Sequence, residues 1–323
     1  MVYLSQVFLF ASSAPSGEPT TYKEAINSPD VKLWKQAMTE ELESLQTLGT
    51  WVVCPKPENR KVIGCKWVYR IKTDADGNVI RYKARLVAKG YSQQPGLDFG
   101  DTFAPVTRLE TIRLLLGIAT HNDWEIRQVD VKTAYLYGDL DEEIYMAVPP
   151  GLGVPEGHVL RLVKALYGLK QAGRQWHSKL KSTLSTYDLR QIVSNPNTYV
   201  AHKVVNGKRC ILVLPVYVDN LLPMGDKELT DDFKTNIGNS FEVTLMGDAS
   251  YFLGLRISWD REHGELSLDQ MKFATKILDS FTNVKTLTLG ARCPGNQWEH
   301  LGYIAGSGSL CLHCNHQSHL ENI

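Results

Sequence analysis

The sequence predicts an α+β fold, and three observations carry that expectation. One long amphipathic helix lies near the start, paired strand-like runs follow it, and a later pair of apolar runs is split by Asp219-Asn220. The helix comes first. Ser28-Pro29-Asp30 reads as an N-cap followed by proline at the first helical position. Apolar residues then recur at Trp34, Ala37, Met38, Leu42, Leu45 and Leu48, and Gly49 supplies a stop. The acidic face of this helix reads as solvated. In the next run, Trp67, Tyr69 and Ile71 alternate with Lys66, Arg70 and Lys72. A turn cluster, Asp74-Ala75-Asp76-Gly77-Asn78, separates it from a second run, in which Arg81, Lys83, Arg85 and Lys89 fall at even spacing and so share one strand face.

The chain has 323 residues and is 43% hydrophobic, enough for one large core or two modest ones. Its 35 basic residues balance its 35 acidic ones, but binding of a polyanion follows local charge, not the sum. From Lys56 to Gly90 there are ten Lys/Arg and three Asp/Glu. From Arg161 to Arg190 there are seven Lys/Arg and one Asp, and Trp176, Leu180 and Leu184 make the second half of that zone helical. No apolar stretch reaches the roughly 18 residues of a membrane span. The apolar run Val7–Ala11 is short and lacks a basic region before it, unlike a secretion signal. The six cysteines form no disulfide framework, so a reducing location, cytoplasmic or nuclear, is expected.

Further along, Asp139 to Glu143 is an acidic patch before a strand or turn at Ile144–Val148. Phe252–Ile257 reads as a strand, and Lys272–Phe281 as the start of a helix. Beyond about Val284 the periodic pattern fades, and the segment 284–323 reads as an unrelated tail, disordered or out of frame. It contains Cys311-Leu312-His313-Cys314-Asn315-His316-Gln317-Ser318-His319, which offers zinc ligands, but the Cys-to-His gap is far below the ~12 residues of a finger, so zinc is not expected.

Two short segments carry the candidate chemistry. Glu125–Val131 can form a strand with Asp130 near its end. Ile211–Val218 meets Asp219-Asn220 before apolar residues resume at Leu221, a hairpin signal with Asp219 at the tip. If Asp130 and Asp219 meet, they make a site for hard divalent cations, which take oxygen ligands and share them with substrate phosphates. By spacing alone the plainer reading is a turn aspartate chosen for local hydrogen bonding and an unrelated strand-end aspartate.

A set of ordered motifs changes that balance. Lys61-Val62-Ile63-Gly64-Cys65-Lys66-Trp67-Val68-Tyr69, Arg81-Tyr82-Lys83-Ala84-Arg85-Leu86-Val87-Ala88-Lys89-Gly90 and Thr102-Phe103-Ala104-Pro105-Val106 resemble the fingers of copia-type retrotransposon reverse transcriptases. Gln128-Val129-Asp130-Val131-Lys132-Thr133-Ala134-Tyr135-Leu136 is similar to that family's first catalytic motif, and Leu166-Tyr167-Gly168-Leu169-Lys170-Gln171-Ala172 resembles its second. Tyr217-Val218-Asp219-Asn220 stands where the family has Tyr-Val-Asp-Asp, and Phe252-Leu253-Gly254 matches the segment before the thumb. The resemblance covers residues 20–283 and follows an irregular segment 1–19.

The resemblance implies a right-hand polymerase: fingers over about 50–120, a palm over about 121–258 with an antiparallel sheet and packed helices, and a cut-short thumb over about 259–283. It implies RNA-directed DNA polymerisation with two magnesium ions on Asp130 and Asp219, and Asn220 beside them. Lys83 and Arg85 would contact the incoming nucleotide triphosphate. Tyr135 would stack under its sugar and disfavour a 2′-hydroxyl, and Gln171 would line its pocket. Lys66, Arg70, Lys89, Lys170 and Arg174 would hold the template-primer backbone. The plain alternatives are core packing for Tyr135, a helix surface for Gln171 and solvated charge for the rest. Other Pol segments are implied partners. Asn220, which brings no charge, Gly173 in place of the family's usual proline, and Pro215 and Pro223 within the hairpin strands all point to an impaired copy. The alternative function is a non-catalytic nucleic-acid-binding remnant.

Overall fold

In the computed structural model, residues 17–74, 78–280, 288–292 and 298–302 are described. The fold is mixed α and β. Helices α1 (Tyr22–Asn27) and α2 (Val31–Thr47) precede strands β1 (Trp51–Pro55), β2 (Val62–Ile63), β3 (Cys65–Thr73) and β4 (Val79–Ala88). Helix α3 (Leu109–His121) leads to β5 (Glu125–Val131), β6 (Asp139–Met146) and β7 (His158–Lys164). Helix α4 (Ala172–Thr186) is followed by β8 (Arg190–Ile192), β9 (Asn195–Val205), β10 (Lys208–Tyr217), β11 (Asn220–Leu221) and β12 (Met224–Gly225). Then come α5 (Lys227–Ser240), β13 (Val243–Asp248), β14 (Tyr251–Phe252), β15 (Leu255–Asp260), β16 (Glu265–Asp269) and α6 (Met271–Ser280). A last pair, β17 (Thr288–Arg292) and β18 (Trp298–Gly302), is antiparallel.

Two compact units are distinguished. The first comprises the described residues up to Arg108 together with Arg127–Met246, and the second comprises Leu109–Ile126 with the described residues from Gly247 on. The first unit contains two cores. In one, Trp34 of α2 is fully buried and meets Tyr69 and Tyr82 edge-on, at ring separations of 5.2 and 4.7 Å. Around it close Leu45, Ile63, Trp67, Leu86, Met146 and Leu160. This is where the apolar stripe of α2 lands on the apolar face of the β3–β4 ribbon. Burial of such large rings dominates the stability of a core this size. In the other, α4 and α5 pack on the sheet, with Trp176, Leu180 and Phe233 against Val129, Leu212, Leu214 and Val216.

The strand β10 pairs antiparallel with β9 over Lys208–Pro215, and with β11 and β12 on its other side. β11 in turn pairs antiparallel with β5, Asn220 opposite Asp130 and Leu221 opposite Val129. A separate four-stranded sheet runs β1-β7-β6-β2, with β2 and β6 parallel. In the second unit, Arg261 pairs with Asp123 at 2.7 Å and lies over the Trp259 ring at 3.9 Å.

Several sequence expectations are revised. Ser28 ends α1 and does not cap α2, its hydroxyl donating to the Ala25 carbonyl; α2 starts at Val31. Phe252–Ile257 is two strands, because Leu253 and Gly254 both take positive φ (49° and 83°) and fold the chain back. Both prolines of the hairpin are accommodated: Pro223 falls in the break between β11 and β12, and the Pro215 carbonyl still accepts from Leu222 N–H. Residues 75–77 of the turn cluster, most of the N-terminal segment and Cys311 to His319, where zinc ligands were considered, lie outside the described residues.

Gly168 joins the two halves of the first unit. Its φ is +90°, and a Cβ there would sit 2.2 Å from the Ala88 carbonyl oxygen, while Ala88 N–H donates to the Tyr167 carbonyl at 2.7 Å. Backbone meets backbone, so no side chain can yield. Gly168→Ala is expected to cost more than about 2 kcal/mol, read as a lower urea midpoint; an unchanged midpoint overturns this packing account.

Candidate active site

The β3–β4 ribbon shows why its charges are where they are. Arg70 lies opposite Lys83, Lys72 opposite Arg81, and Val68 opposite Arg85, so with Lys66 six cations share one ribbon face. Like charges directly across a sheet destabilise it. The opposite face, with Trp67, Tyr69, Ala84 and Leu86, is the one buried in the core. The exposed face is relieved by carboxylates: Glu18 binds Arg70 at 2.8 Å and Glu40 binds Arg81 at 2.8 Å.

This ribbon lines one side of a cleft of about 390 Å³. Helix α2 contributes Glu40, Glu41 and Ser44, and β4 contributes Arg81 to Arg85. The floor is Asp130, Val131, Lys132, Thr133, Tyr167 and Asp219. Asp130 of β5 and Asp219 of the turn after β10 therefore converge from positions almost ninety residues apart in sequence. The main chain holds them there, through the Asn220–Asp130 register and the bond from Val131 N–H to the Asp219 carbonyl at 2.8 Å.

The electrostatics follow. Burial, and then the neighbouring Asp219 carboxylate, raise the Asp130 carboxyl above its ordinary range, against the pull of Lys83, Arg85 and Lys132. Burial and the adjacent Arg85 lower Lys83. The Arg85 guanidinium lies over the Tyr167 ring at 5.0 Å, and burial pushes that phenol up to about 12. Asn220 turns its amide N–H onto an Asp219 carboxylate oxygen at 2.9 Å. The turn itself is strained. Val218 has φ +56°, a conformation that costs a β-branched residue about 1–3 kcal/mol.

The profile of the family described as "Reverse transcriptase (RNA-dependent DNA polymerase)" matches residues 48–291. The chain belongs to the reverse transcriptase family. It is 40% identical over 267 residues to the retrovirus-related Pol polyprotein from transposon TNT 1-94 of Nicotiana tabacum, covering 82% of this chain and 20% of that relative. To the retrovirus-related Pol polyprotein from transposon RE2 of Arabidopsis thaliana it is 38% identical over 287 residues, 87% of this chain and 19% of the relative. An uncharacterized mitochondrial protein of the same plant is 45% identical over 102 residues, 32% of this chain and 58% of that protein. The chain spans about a fifth of the length of the two Pol polyproteins. The motif-based resemblance to retrotransposon Pol reverse transcriptases is thus borne out.

Within this reverse transcriptase domain the expected site residues divide. Asp130, Asp219, Lys83 and Arg85 line the cleft. Tyr135 stands beside it, edge-on to Tyr167 at 5.3 Å, its phenol raised by burial and then by Asp219. Gln171 is fully buried and is not among the cleft-lining residues. It donates to the Asp98 carbonyl and to Glu142, and accepts from Gln93. Its visible role is to tie the 90–98 loop to the start of α4. Lys66 and Arg70 are on the cationic ribbon face, Lys89 follows the end of β4, and Arg174 pairs with Asp101 at 3.3 Å. Lys170 is exposed at the entry to α4.

One residue of α2 and one ion pair on the cleft floor escaped the sequence reading. The acidic face of α2 is not merely solvated: Glu41 is 8% exposed, accepts from Leu86 N–H at 3.2 Å and faces Lys83 and Arg85, with burial raising its carboxyl. Its position four residues after Ala37 and Leu45 four residues beyond it, on the apolar stripe, was the available signal. Lys132 and Glu242, paired at 2.7 Å across the cleft floor, had no such signal.

A carboxyl whose folded pKa is raised lends stability only below its unfolded pKa, and that stability is lost as pH rises through the folded value. At neutral pH the ionised Asp130 therefore opposes folding. Asp130→Asn is expected to raise the melting temperature by a few degrees at pH 7 in the absence of divalent cations, with the gain vanishing below about pH 4. An equal or lower melting temperature at pH 7 contradicts the raised carboxyl.

Proposed function

We propose that this domain is an RNA-directed DNA polymerase whose two carboxylates, Asp130 and Asp219, bind magnesium ions and an incoming deoxynucleotide, and that Asn220 impairs it. The convergence of these two carboxylates beneath a row of cations is the observation that carries this reading. On it, the Trp34 core with the β3–β4 ribbon corresponds to the fingers, the sheet of β5 and β9–β12 with α4 and α5 to the palm, and residues from about 259 to the thumb's beginning.

The donor set fits a hard divalent cation: two carboxylates, one of them disfavoured as a lone anion by burial and by its neighbour, gain from a shared positive charge. Bound there, a pair of such ions would activate the primer 3′-hydroxyl and neutralise charge on the departing pyrophosphate. The remaining work falls to the chain itself. Lys83 and Arg85 face the same cleft and are placed to hold the triphosphate, Arg85 kept in position by the Tyr167 ring. Tyr135 stands next to Asp219 where a sugar would stack. The ribbon cations Lys66 and Arg70, with Lys89, Lys170 and Arg174, would hold the RNA or DNA backbone without reading sequence.

Asn220 weakens this arrangement in two ways. It supplies an amide where the family has a carboxylate, and its N–H occupies an Asp219 oxygen that a cation would need. That same observation favours the second reading, a nucleic-acid-binding remnant without catalysis. Primer extension on an RNA template decides between them. Asn220→Asp is expected to raise the rate about 10²–10³-fold. Equal rates refute the impairment, and no extension by either protein refutes the polymerase. In the Asn220→Asp background, Arg85→Ala is expected to raise the apparent KM for deoxynucleotide roughly 10- to 100-fold. An unchanged KM removes Arg85 from the triphosphate site.

A further inference from the structure

Three carbonyls at the end of β10 and in the turn that leads to β11 are tied down from outside that hairpin. The Val216 carbonyl accepts from Thr107 Oγ1 at 2.8 Å and from Asn197 Nδ2 at 3.0 Å. The Asp219 carbonyl accepts from Val131 N–H at 2.8 Å. Between them, the Val218 carbonyl accepts from the indole N–H of Trp176 at 2.6 Å. Val218 is the residue at φ +56°. Trp176 comes from α4, is 2% exposed, and is held by an edge-on contact with Phe241 at 5.1 Å and a tilted one with Tyr137 at 6.3 Å.

We propose that Trp176 is a positioning residue: its indole N–H holds the Val218 carbonyl and so keeps the Val218–Asp219 peptide in the strained orientation that aims the Asp219 carboxylate at Asp130. The physical reasoning is that a β-branched residue leaves positive φ unless its surroundings over-determine it. Release of the Val218 carbonyl lets φ return to the negative region. That rotates the peptide leading into Asp219 and swings its carboxylate. The ladder pairs stop short of Val218: β11 pairs with β10 at Val216–Leu221 and Tyr217–Asn220 and with β5 from Asn220 on, so none of them includes the Val218 residue whose φ is at issue. The Trp176 indole N–H is itself buried with this carbonyl as its acceptor, so breaking the bond strands a donor as well as freeing the carbonyl. Phenylalanine fills most of the same space and donates nothing.

This inference rests on the proposed carboxylate site, and its test separates the two. The full chain carrying Asn220→Asp serves as the parent, and Mn²⁺ affinity is measured by titration alongside primer extension and thermal melting. Trp176→Phe is expected to weaken Mn²⁺ binding and extension about tenfold. Adding Val218→Gly to Trp176→Phe is expected to restore most of both, since glycine occupies φ +56° without strain and no longer needs the clamp. Unchanged Mn²⁺ affinity in Trp176→Phe overturns the proposal. So does a loss that Val218→Gly leaves in place, because the loss then comes from packing. Should Trp176→Phe fail to fold, the double variant decides: folded with parental Mn²⁺ affinity it supports the clamp, and unfolded or weak-binding it overturns it. A parent that binds Mn²⁺ but extends no primer sinks the polymerase reading, while the Mn²⁺ measurements still judge Trp176.

Discussion

Two like charges are held side by side in this protein by main-chain pairing that neither would choose. Asp130 is the last residue but one of β5 and Asp219 sits in the turn after β10; the pairing of β11 with both strands leaves the carboxylates on one cleft floor. Desolvation and mutual repulsion both act against that arrangement, which is why the Asp130 carboxyl is raised. The opposing force comes from burial elsewhere, in the Trp176, Leu214 and Val216 core beneath the sheet. Stability is drawn from the packed side of the sheet and spent on its polar edge, a common pattern for sites that bind cations or polyanions.

The cationic ribbon has the same character. Its inner face is bound to α2 by aromatic packing, and this binding forces Arg70, Lys72, Arg81, Lys83 and Arg85 together on the other face. Carboxylates of Glu18, Glu40 and Glu41 temper the repulsion from the α2 side and the N-terminal segment. One cleft thus contains an acidic floor and a basic wall, each unfavourable alone and each eased by the other. A magnesium–triphosphate carries both signs in the matching order, which is the physical sense of the proposed substrate.

Much was legible from residues alone. The period of Trp34, Ala37, Met38 and Leu45 set the buried face of α2, and even spacing put Arg81, Lys83 and Arg85 on one face of a strand. The apolar runs around Asp219-Asn220 marked a hairpin because strands there are buried and only the tip needs polar residues. The errors have equally local causes. Leu253 at φ 49° folds a turn that a leucine does not advertise, and Ser28, a plausible N-cap, satisfies the end of the preceding helix instead.

Sequence by itself determined the buried face of α2, the cationic face of β4 and the hairpin around Asp219, since backbone sterics and the periods of 2 and 3.6 act within a few residues. Its ordered motifs also pointed to the reverse transcriptase family. Only the tertiary structure decided which faces meet. It put Glu41 opposite Lys83 and Arg85, buried Gln171 in an amide network away from the cleft, and set the Trp176 indole against the Val218 carbonyl. Those pairings join residues separated by about forty positions or more, and contact at that range is settled by how two cores pack, which no local pattern encodes.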